Sequence, residues 1–126
     1  MAQSYPAMPY QLKYRPERDY VMAAMEGDPD IEGFLEALRE IGAASVSWSQ
    51  RSVVVDLRGV TPVYTFTEQM RIGQAVAWNF AHLHKAAAVV QPERITRVGE
   101  KAAHHSGLQK VKVFASEDEA AAWIAE

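Results

Sequence analysis

The hydrophobic pattern at the start of the chain predicts a β-hairpin. Tyr10, Leu12 and Tyr14 alternate with polar residues, and this period of two is typical of a strand with one buried face. A turn over residues 16–18 leads to a second apolar stretch over residues 19–25. We therefore expect two antiparallel strands before the first helix.

Helical and strand patterns then alternate. Asp28 as N-cap and Pro29 as first helical residue predict a helix that ends at Gly42. The pattern of residues 43–50 is ambiguous, and a short extra strand at Val46 and Trp48 is one interpretation of it. The predicted elements that follow are a β-branched strand over 52–57, a helix from Thr65 to about Leu83, a strand over 86–90, a helix from Pro92 to Gly107, a strand over 111–114 and a helix after the capping box 116–119.

The second helix begins at a capping box, in which Thr65 and Glu68 each accept from the backbone of the other. Its apolar residues recur at helical spacing, which predicts one buried face. That face contains Phe66, Met70, Gly73, Ala77 and Phe80.

The order β-β-α-β-α-β-α-β-α predicts an α/β fold with a mixed sheet of four to five strands flanked by about four helices. The length of 126 residues is typical of one domain. We expect an irregular N-terminal arm over residues 1–9, which contains two prolines, and a single domain over residues 10–126.

Composition narrows the classes of function. Apolar residues make up 48% and charged residues 23%, which is typical of a folded domain. The net charge of −3 gives no electrostatic reason to bind nucleic acid or an anionic membrane. The absence of cysteine excludes disulfides and thiolate chemistry. Without a signal peptide or an apolar run long enough for membrane insertion, we expect a cytoplasmic protein.

Three stretches resemble the STAS domain, and more narrowly the SpoIIAA-like proteins and anti-sigma-factor antagonists. They are Gly27–Asp30, which leads into the first helix, Val53–Pro62, a strand and loop, and Lys112–Ile124, a closing strand and helix. The resemblance covers residues 10–126 and implies a SpoIIAA-like fold. The same arrangement of strands and helices occurs in lipid-binding CRAL-TRIO domains, which implies that a small apolar ligand is an alternative.

In the anti-sigma-factor antagonists, a partner kinase phosphorylates a serine at the start of the helix after the central strand. Here Tyr64–Thr67 occupies that position, and the usual acidic, serine and glycine residues are missing. Thr65 and Thr67 are the available phospho-acceptors. However, Thr65 is already explained as a structural N-cap, so we expect no intact phospho-serine switch.

Candidate chemistry is sparse. Asp56, at the end of the central strand, and Arg58 beside it are the best candidates for a ligand rim, although Asp56 is also explained by loop amides and Arg58 by charge balance. The histidine pairs His82/His84 and His104/His105 have spacings that do not share a helix face, so we expect no metal site. No catalytic triad or phosphate loop is recognisable, and no cofactor is expected.

The outer face of the second helix predicts an interaction surface. Arg71, Gln74, Trp78 and His82 recur at helical spacing away from the predicted core face. Tryptophan on a polar face is either a lid over its neighbours or an anchor for a partner, and tryptophan and arginine are enriched at binding hot spots.

The hypothesis that follows is a non-enzymatic regulatory or protein-interaction module, which binds a protein partner or a second copy of itself as a homodimer. The alternative is a carrier or sensor of a small apolar, lipid-like ligand. An enzyme of unknown type is the third candidate.

Overall fold

Strands and helices follow each other in the predicted order in the computed structural model, which describes residues 9–126. The predicted N-terminal arm therefore lies outside the described residues, apart from Pro9. The strands are β1 Tyr10–Pro16, β2 Val21–Gly27, β3 Ser52–Val60, β4 Lys85–Val89 and β5 Val111–Phe114. The α-helices are α1 Ile31–Ser45, α2 Phe66–Asn79, α3 Val98–His105 and α4 Glu117–Ala125.

The five strands form one mixed sheet in the order β1-β2-β3-β4-β5. The β1–β2 hairpin is antiparallel, with Tyr10 opposite Gly27 and Pro16 opposite Val21. The remaining neighbours are parallel. With its four helices, this is the mixed α/β architecture that the sequence predicts.

The central strand β3 is covered on both faces, which explains its continuous β-branched sequence. Val53 and Val55 point into the larger core, with Phe34, Leu38 and Phe80 from the helices on that side. Val54 points to the other face and packs in the smaller core with Ala120 and Ile124 of α4. Successive side chains of β3 therefore face different helices.

The first helix differs from the prediction at both ends. Its N-cap is Asp30, whose carboxylate accepts from the Gly33 amide at 2.8 Å, whereas Asp28 accepts from the Thr61 hydroxyl at 2.8 Å. The helix also continues past Gly42 to Ser45. Gly42 is needed there because α2 ends against it: a Cβ at this position would lie 2.7 Å from the Asn79 carbonyl oxygen.

Residues 43–50 form the end of α1 and a turn, so the extra strand at Val46 and Trp48 is wrong. The Trp48 ring instead packs edge-on against Tyr14 of β1, with the centroids 5.9 Å apart.

Two further boundaries differ from the prediction. Strand β3 continues through Gly59 to Val60, and α2 ends at Asn79 rather than near Leu83.

The helix predicted from Pro92 is divided into two pieces. A short 3-10 turn occupies Pro92–Arg94, and α3 begins only at Val98. Between them Arg97 adopts a left-handed backbone conformation with φ 61°, which is uncommon for a residue with a side chain. This break lets the chain change direction before α3.

A buried lysine joins the sheet to α4. Lys85, the first residue of β4, is almost fully buried, and its ammonium group donates to the carbonyl oxygens of Trp123 at 2.6 Å and Glu126 at 3.2 Å. It also lies 5.0 Å from the centre of the Trp123 ring. The Trp123 carbonyl also accepts from the Glu126 amide at 3.3 Å, so Lys85 adds a second donor at the end of α4. The local sequence around Lys85 does not indicate this role.

Helix α2 packs mainly against α3 and α1. Gly73 makes the approach to α3 possible, because a Cβ there would lie 2.4 Å from the Gly99 carbonyl oxygen and 2.6 Å from the Ala102 Cβ. The two helix backbones therefore lie in direct contact.

We predict that Gly73→Ala destabilises the protein by about 1–3 kcal/mol, because the added methyl group must push the two helices apart. Gly99→Ala is the matched control: its nearest neighbour would be the Gln69 carbonyl oxygen at 3.6 Å, an ordinary contact. Alanine also favours a helix over glycine, so this variant should be neutral or slightly stabilised. Urea denaturation of both variants measures the difference, and equal stabilities would contradict the prediction.

Candidate functional site

The start of α2 is a complete capping box. The Thr65 hydroxyl accepts from the Glu68 amide at 3.1 Å, and the Glu68 carboxylate accepts from the Thr65 amide at 2.9 Å. Thr65 and Thr67 are both exposed. A phosphate on Thr65 would add roughly two negative charges beside Glu68 and would take the capping oxygen out of this arrangement.

A cavity of about 430 Å³ lies between the sheet and helices α2 and α3. Its sheet side includes Val55 and Leu57 of β3 and the alanines Ala86 and Ala88 of β4, and its helix side includes Ile72 and Val76 of α2. Two features of the chain produce this space. The short alanine side chains fill little of the space above the sheet. The direct contact between α2 and α3 holds these two helices together on the other side of that space.

The loop from β3 to α2 forms one wall of this cavity. Tyr64 lies edge-on to Phe34, with the ring centroids 5.1 Å apart, and its hydroxyl donates to the Pro29 carbonyl oxygen at 2.7 Å. Burial, together with the nearby carboxylates of Asp30 and Glu68, raises the pKa of the Tyr64 hydroxyl. Tyr64 therefore stays neutral and holds the loop against α1.

The polar residues of the cavity lining come mostly from the segment that precedes α3. Arg97 pairs with Glu100 at 2.9 Å, and Thr96 donates to the Gln69 side chain. Arg94 donates to the carbonyl oxygens of Val60 at 2.7 Å and Thr61 at 3.0 Å. An apolar interior thus meets a polar edge.

The predicted core face of α2 is covered only along its C-terminal half. Gly73, Ala77 and Phe80 are buried as expected, but the prediction is wrong for Phe66, which is 65% exposed, and Met70, which is 39% exposed. The five residues do share one helix face. Its N-terminal half is uncovered at Phe66 and Met70, although α1 contacts Arg71 and α3 lies near Gln69 in the same part of the helix.

The predicted outer stripe of α2 is exposed. Trp78 is 82% exposed, so it does not act as a lid over its neighbours. Gln74 is exposed beside it, and Arg71 is bonded to Glu32 of α1 at 2.8 Å. His82 is not part of the helix, because α2 ends at Asn79; its Nε2 lies 2.6 Å from the Ser45 hydroxyl of α1.

Comparison with known proteins decides the family. The family model described as SpoIIAA-like matches residues 21–125. The chain belongs to the SpoIIAA-like family.

A crystal structure of an anti-sigma factor antagonist from Mycobacterium paratuberculosis shares the SpoIIAA-like fold of this chain. The two superpose with a TM-score of 0.63 at 17% sequence identity, over 96% of this chain and 98% of the other. At this identity the likeness concerns the fold. No curated protein sequence matches this SpoIIAA-like chain.

Asp56 lies at the middle of β3 rather than at its end, and it binds Arg58 two residues later in the same strand. The guanidinium contacts both carboxylate oxygens at 2.9 Å, and Asp56 also accepts from the Arg58 amide at 3.1 Å. Burial raises the pKa of Asp56, but the bonds and charge of Arg58 outweigh it, so the pKa lies below its ordinary value. Successive side chains of a strand point to opposite faces of the sheet, and Val55 lines the cavity. Asp56 therefore lies on the opposite face, and the predicted ligand rim is not part of the cavity.

The histidines lie at separate contacts. His104 is 3.0 Å from the Val111 carbonyl oxygen, whereas His82 contacts α1. Residues 9–126 contain no group of three or more histidine, aspartate or glutamate side chains arranged to hold a metal ion. The expectation of no metal site in this SpoIIAA-like protein stays a prediction.

In residues 9–126, no helix is both long and apolar enough to cross a bilayer.

We predict that Thr65→Ala lowers the free energy of unfolding by about 1 kcal/mol, because it removes the N-cap. Thr67→Ala should change it by less than about 0.5 kcal/mol, because Thr67 is an exposed residue outside the cap. Thermal and urea denaturation of both variants provide the comparison.

We also predict that co-expression with a SpoIIAA-type kinase leaves Thr65 and Thr67 unmodified. Stoichiometric phosphate, measured in the intact mass of the protein, would contradict this prediction.

Proposed function

We propose that this SpoIIAA-like protein is a non-enzymatic regulatory module that acts through protein contacts made by α2, including contacts with a second copy of itself. The observation that carries the proposal is the exposure of two large aromatic side chains, Trp78 and Phe66, on one helix. Side chains of this type bury ~150–250 Å² each when a partner covers them, so their exposure in the isolated chain is costly. Residues 10–126 would act as a single domain.

Membership of the SpoIIAA-like family supports this proposal, since the resemblance to anti-sigma-factor antagonists implies regulation through a protein partner. The capping geometry of Thr65 favours a module that works without the phospho-serine switch. The pairing of Asp56 with Arg58 also leaves these charges engaged with each other rather than with a substrate, which supports a non-enzymatic role.

The surface around Trp78 suits an anchor. Its ring borders a shallow groove formed with Ala77 and Ala81 on one side and Gly107 and Leu108, after α3, on the other. Small side chains beside a large exposed ring allow a partner to approach closely. Gln74 supplies a neighbouring polar group, and Arg71 supplies a charge already oriented by Glu32.

We predict that Trp78→Ala weakens association by about tenfold or more, as expected for a hot-spot residue, and changes the free energy of unfolding by less than about 0.5 kcal/mol. Sedimentation equilibrium measures association, and urea denaturation measures stability. Val46→Ala is the matched control, since Val46 is also an exposed apolar residue but lies at the end of α1. A monomeric wild type, or equal association of wild type and Trp78→Ala, would exclude the proposed self-association.

A second function is favoured by the cavity: a carrier or sensor of a small apolar ligand. Ligand pockets typically occupy about 300–1,000 Å³, are mostly apolar and contain a few polar groups. The cavity of about 430 Å³ between the sheet and α2 and α3 has these properties. Such a ligand would replace contacts that the lining side chains otherwise lack.

We predict that the uncharged fluorescent probe N-phenyl-1-naphthylamine binds in the cavity and that Ala88→Phe reduces its affinity by about tenfold or more, because a close-packed ring leaves no space for the probe. Ala122→Leu, an exposed change on α4, is the control and should bind the probe as the wild type does. Fluorescence titration provides the affinities. The absence of probe binding to the wild type, or undiminished binding to a folded Ala88→Phe variant, would contradict the ligand-binding function.

A further inference from the structure

Arg94 is a half-buried cation at the wall of the cavity. Its guanidinium donates to three consecutive backbone carbonyls, those of Val60 and Pro62 through Nη1 and that of Thr61 through Nη2. Carbonyl oxygens satisfy hydrogen bonds but carry no net charge. Arg94 forms no salt bridge with a carboxylate of residues 9–126.

The other polar lining residues are satisfied in different ways. Arg97 and Glu100 neutralise each other, and the Glu100 carboxylate also accepts from the Val113 amide at 3.0 Å. Gln69 and Thr96 are bonded to each other. Glu93 is exposed, so water solvates its charge. Within the described part of the chain, Arg94 is the charged lining residue that is both partly withdrawn from water and without an opposite charge.

Arg94 also retains hydrogen-bonding capacity. A guanidinium carries five N–H donors. Its three recorded bonds go to carbonyls, two from Nη1 and one from Nη2. One N–H on Nε and one on Nη2 therefore have no acceptor in residues 9–126. A charged acceptor at this position would form bonds stronger than those between neutral groups.

We propose that the cavity binds a single-chain amphiphile, with its alkyl chain between the sheet and α2 and its anionic head group on Arg94. This inference rests on the second proposed function, the binding of an apolar ligand, and specifies the ligand class. The apolar lining fits the chain, and the unneutralised guanidinium at the polar edge fits a carboxylate or a comparable anion. The cavity of about 430 Å³ lies in the lower part of the usual range of ligand pockets, about 300–1,000 Å³, which favours one alkyl chain over a two-chain lipid.

The test uses three ligands with the same alkyl chain and different head groups: decanoate, decanol and decyltrimethylammonium. Each displaces N-phenyl-1-naphthylamine from the full chain at neutral pH and low salt, below its critical micelle concentration. The wild type should bind decanoate about tenfold more tightly than decanol, the difference expected for a charge-assisted bond. The cation should bind more weakly than either.

Variants of Arg94 separate charge from fold. Arg94→Gln should bind decanoate and decanol equally while still binding the probe, and Arg94→Lys should keep a preference for decanoate because it keeps the charge. Arg39→Gln is the matched control, since it removes an exposed arginine from α1, outside the cavity and the outer face of α2, and should leave the preference unchanged. If Arg94→Gln fails to fold, the wild type alone decides: salt should weaken decanoate binding but not decanol binding.

The outcomes distinguish the two proposals. A wild type that does not bind the probe overturns the binding of any apolar ligand, and the head-group assignment with it. Probe binding without a preference for decanoate overturns only the anionic head group. A preference that persists in folded Arg94→Gln, or decanoate binding that salt does not affect, shows that Arg94 is not the head-group site.

Discussion

The backbones of α2 and α3 touch at Gly73, and the arrangement of the helix layer on this side of the sheet depends on that contact. Because no side chain separates the two helices at this point, they form a continuous roof over this part of the sheet. The space beneath that roof is the cavity. The same contact buries Gly73, whereas Phe66 and Met70 on the same face of α2 are exposed. An open cavity and an exposed apolar surface therefore lie on the same helix.

Most of the fold could be predicted from the sequence because its signals are local. The period of two in β1, the β-branched run in β3 and the Thr65–Glu68 capping box each depend on neighbouring residues, and each forms the predicted strand or cap. The predicted buried face of β1 is confirmed at Tyr10 but is wrong at Tyr14, which is exposed. The boundaries that were wrong depend on residues distant in sequence. Gly42 is a position of close approach for Asn79 rather than the end of a helix, and a glycine gives the same local signal in both cases.

The candidate site was predictable only in part. Helical spacing placed Arg71, Gln74 and Trp78 on an outer face, and all three lie there, but it could not show that the helix ends before His82. Spacing also identifies which residues share a face without showing whether another element covers it, which is why Phe66 and Met70 were expected in the core. A signal for the cavity was present in the sequence: Ala86 and Ala88 stand where a neighbouring strand has valines, and small side chains in a sheet leave space above it.

Arg94 was missed because its role is defined by its surroundings. Three carbonyls, from the last residue of β3 and the loop after it, converge on a side chain more than thirty positions later in the sequence. Nothing in the local sequence distinguishes this arginine from one that is fully solvated. Whether a charged side chain is available to a ligand depends on its burial and on the charges of its neighbours, and both are properties of the tertiary structure.

The bonds from Lys85 to the end of α4 tie the last helix to the start of a central strand. If α4 separated from the sheet, the Lys85 ammonium would lose its acceptors and the apolar side chains around Ile124 would meet water at the same time. Separation of α4 alone is therefore unfavourable, and the helix belongs to the same cooperative folding unit as the sheet. Detachment of α4 would break the Lys85 bonds and expose the smaller core together, and both losses oppose fraying of this helix.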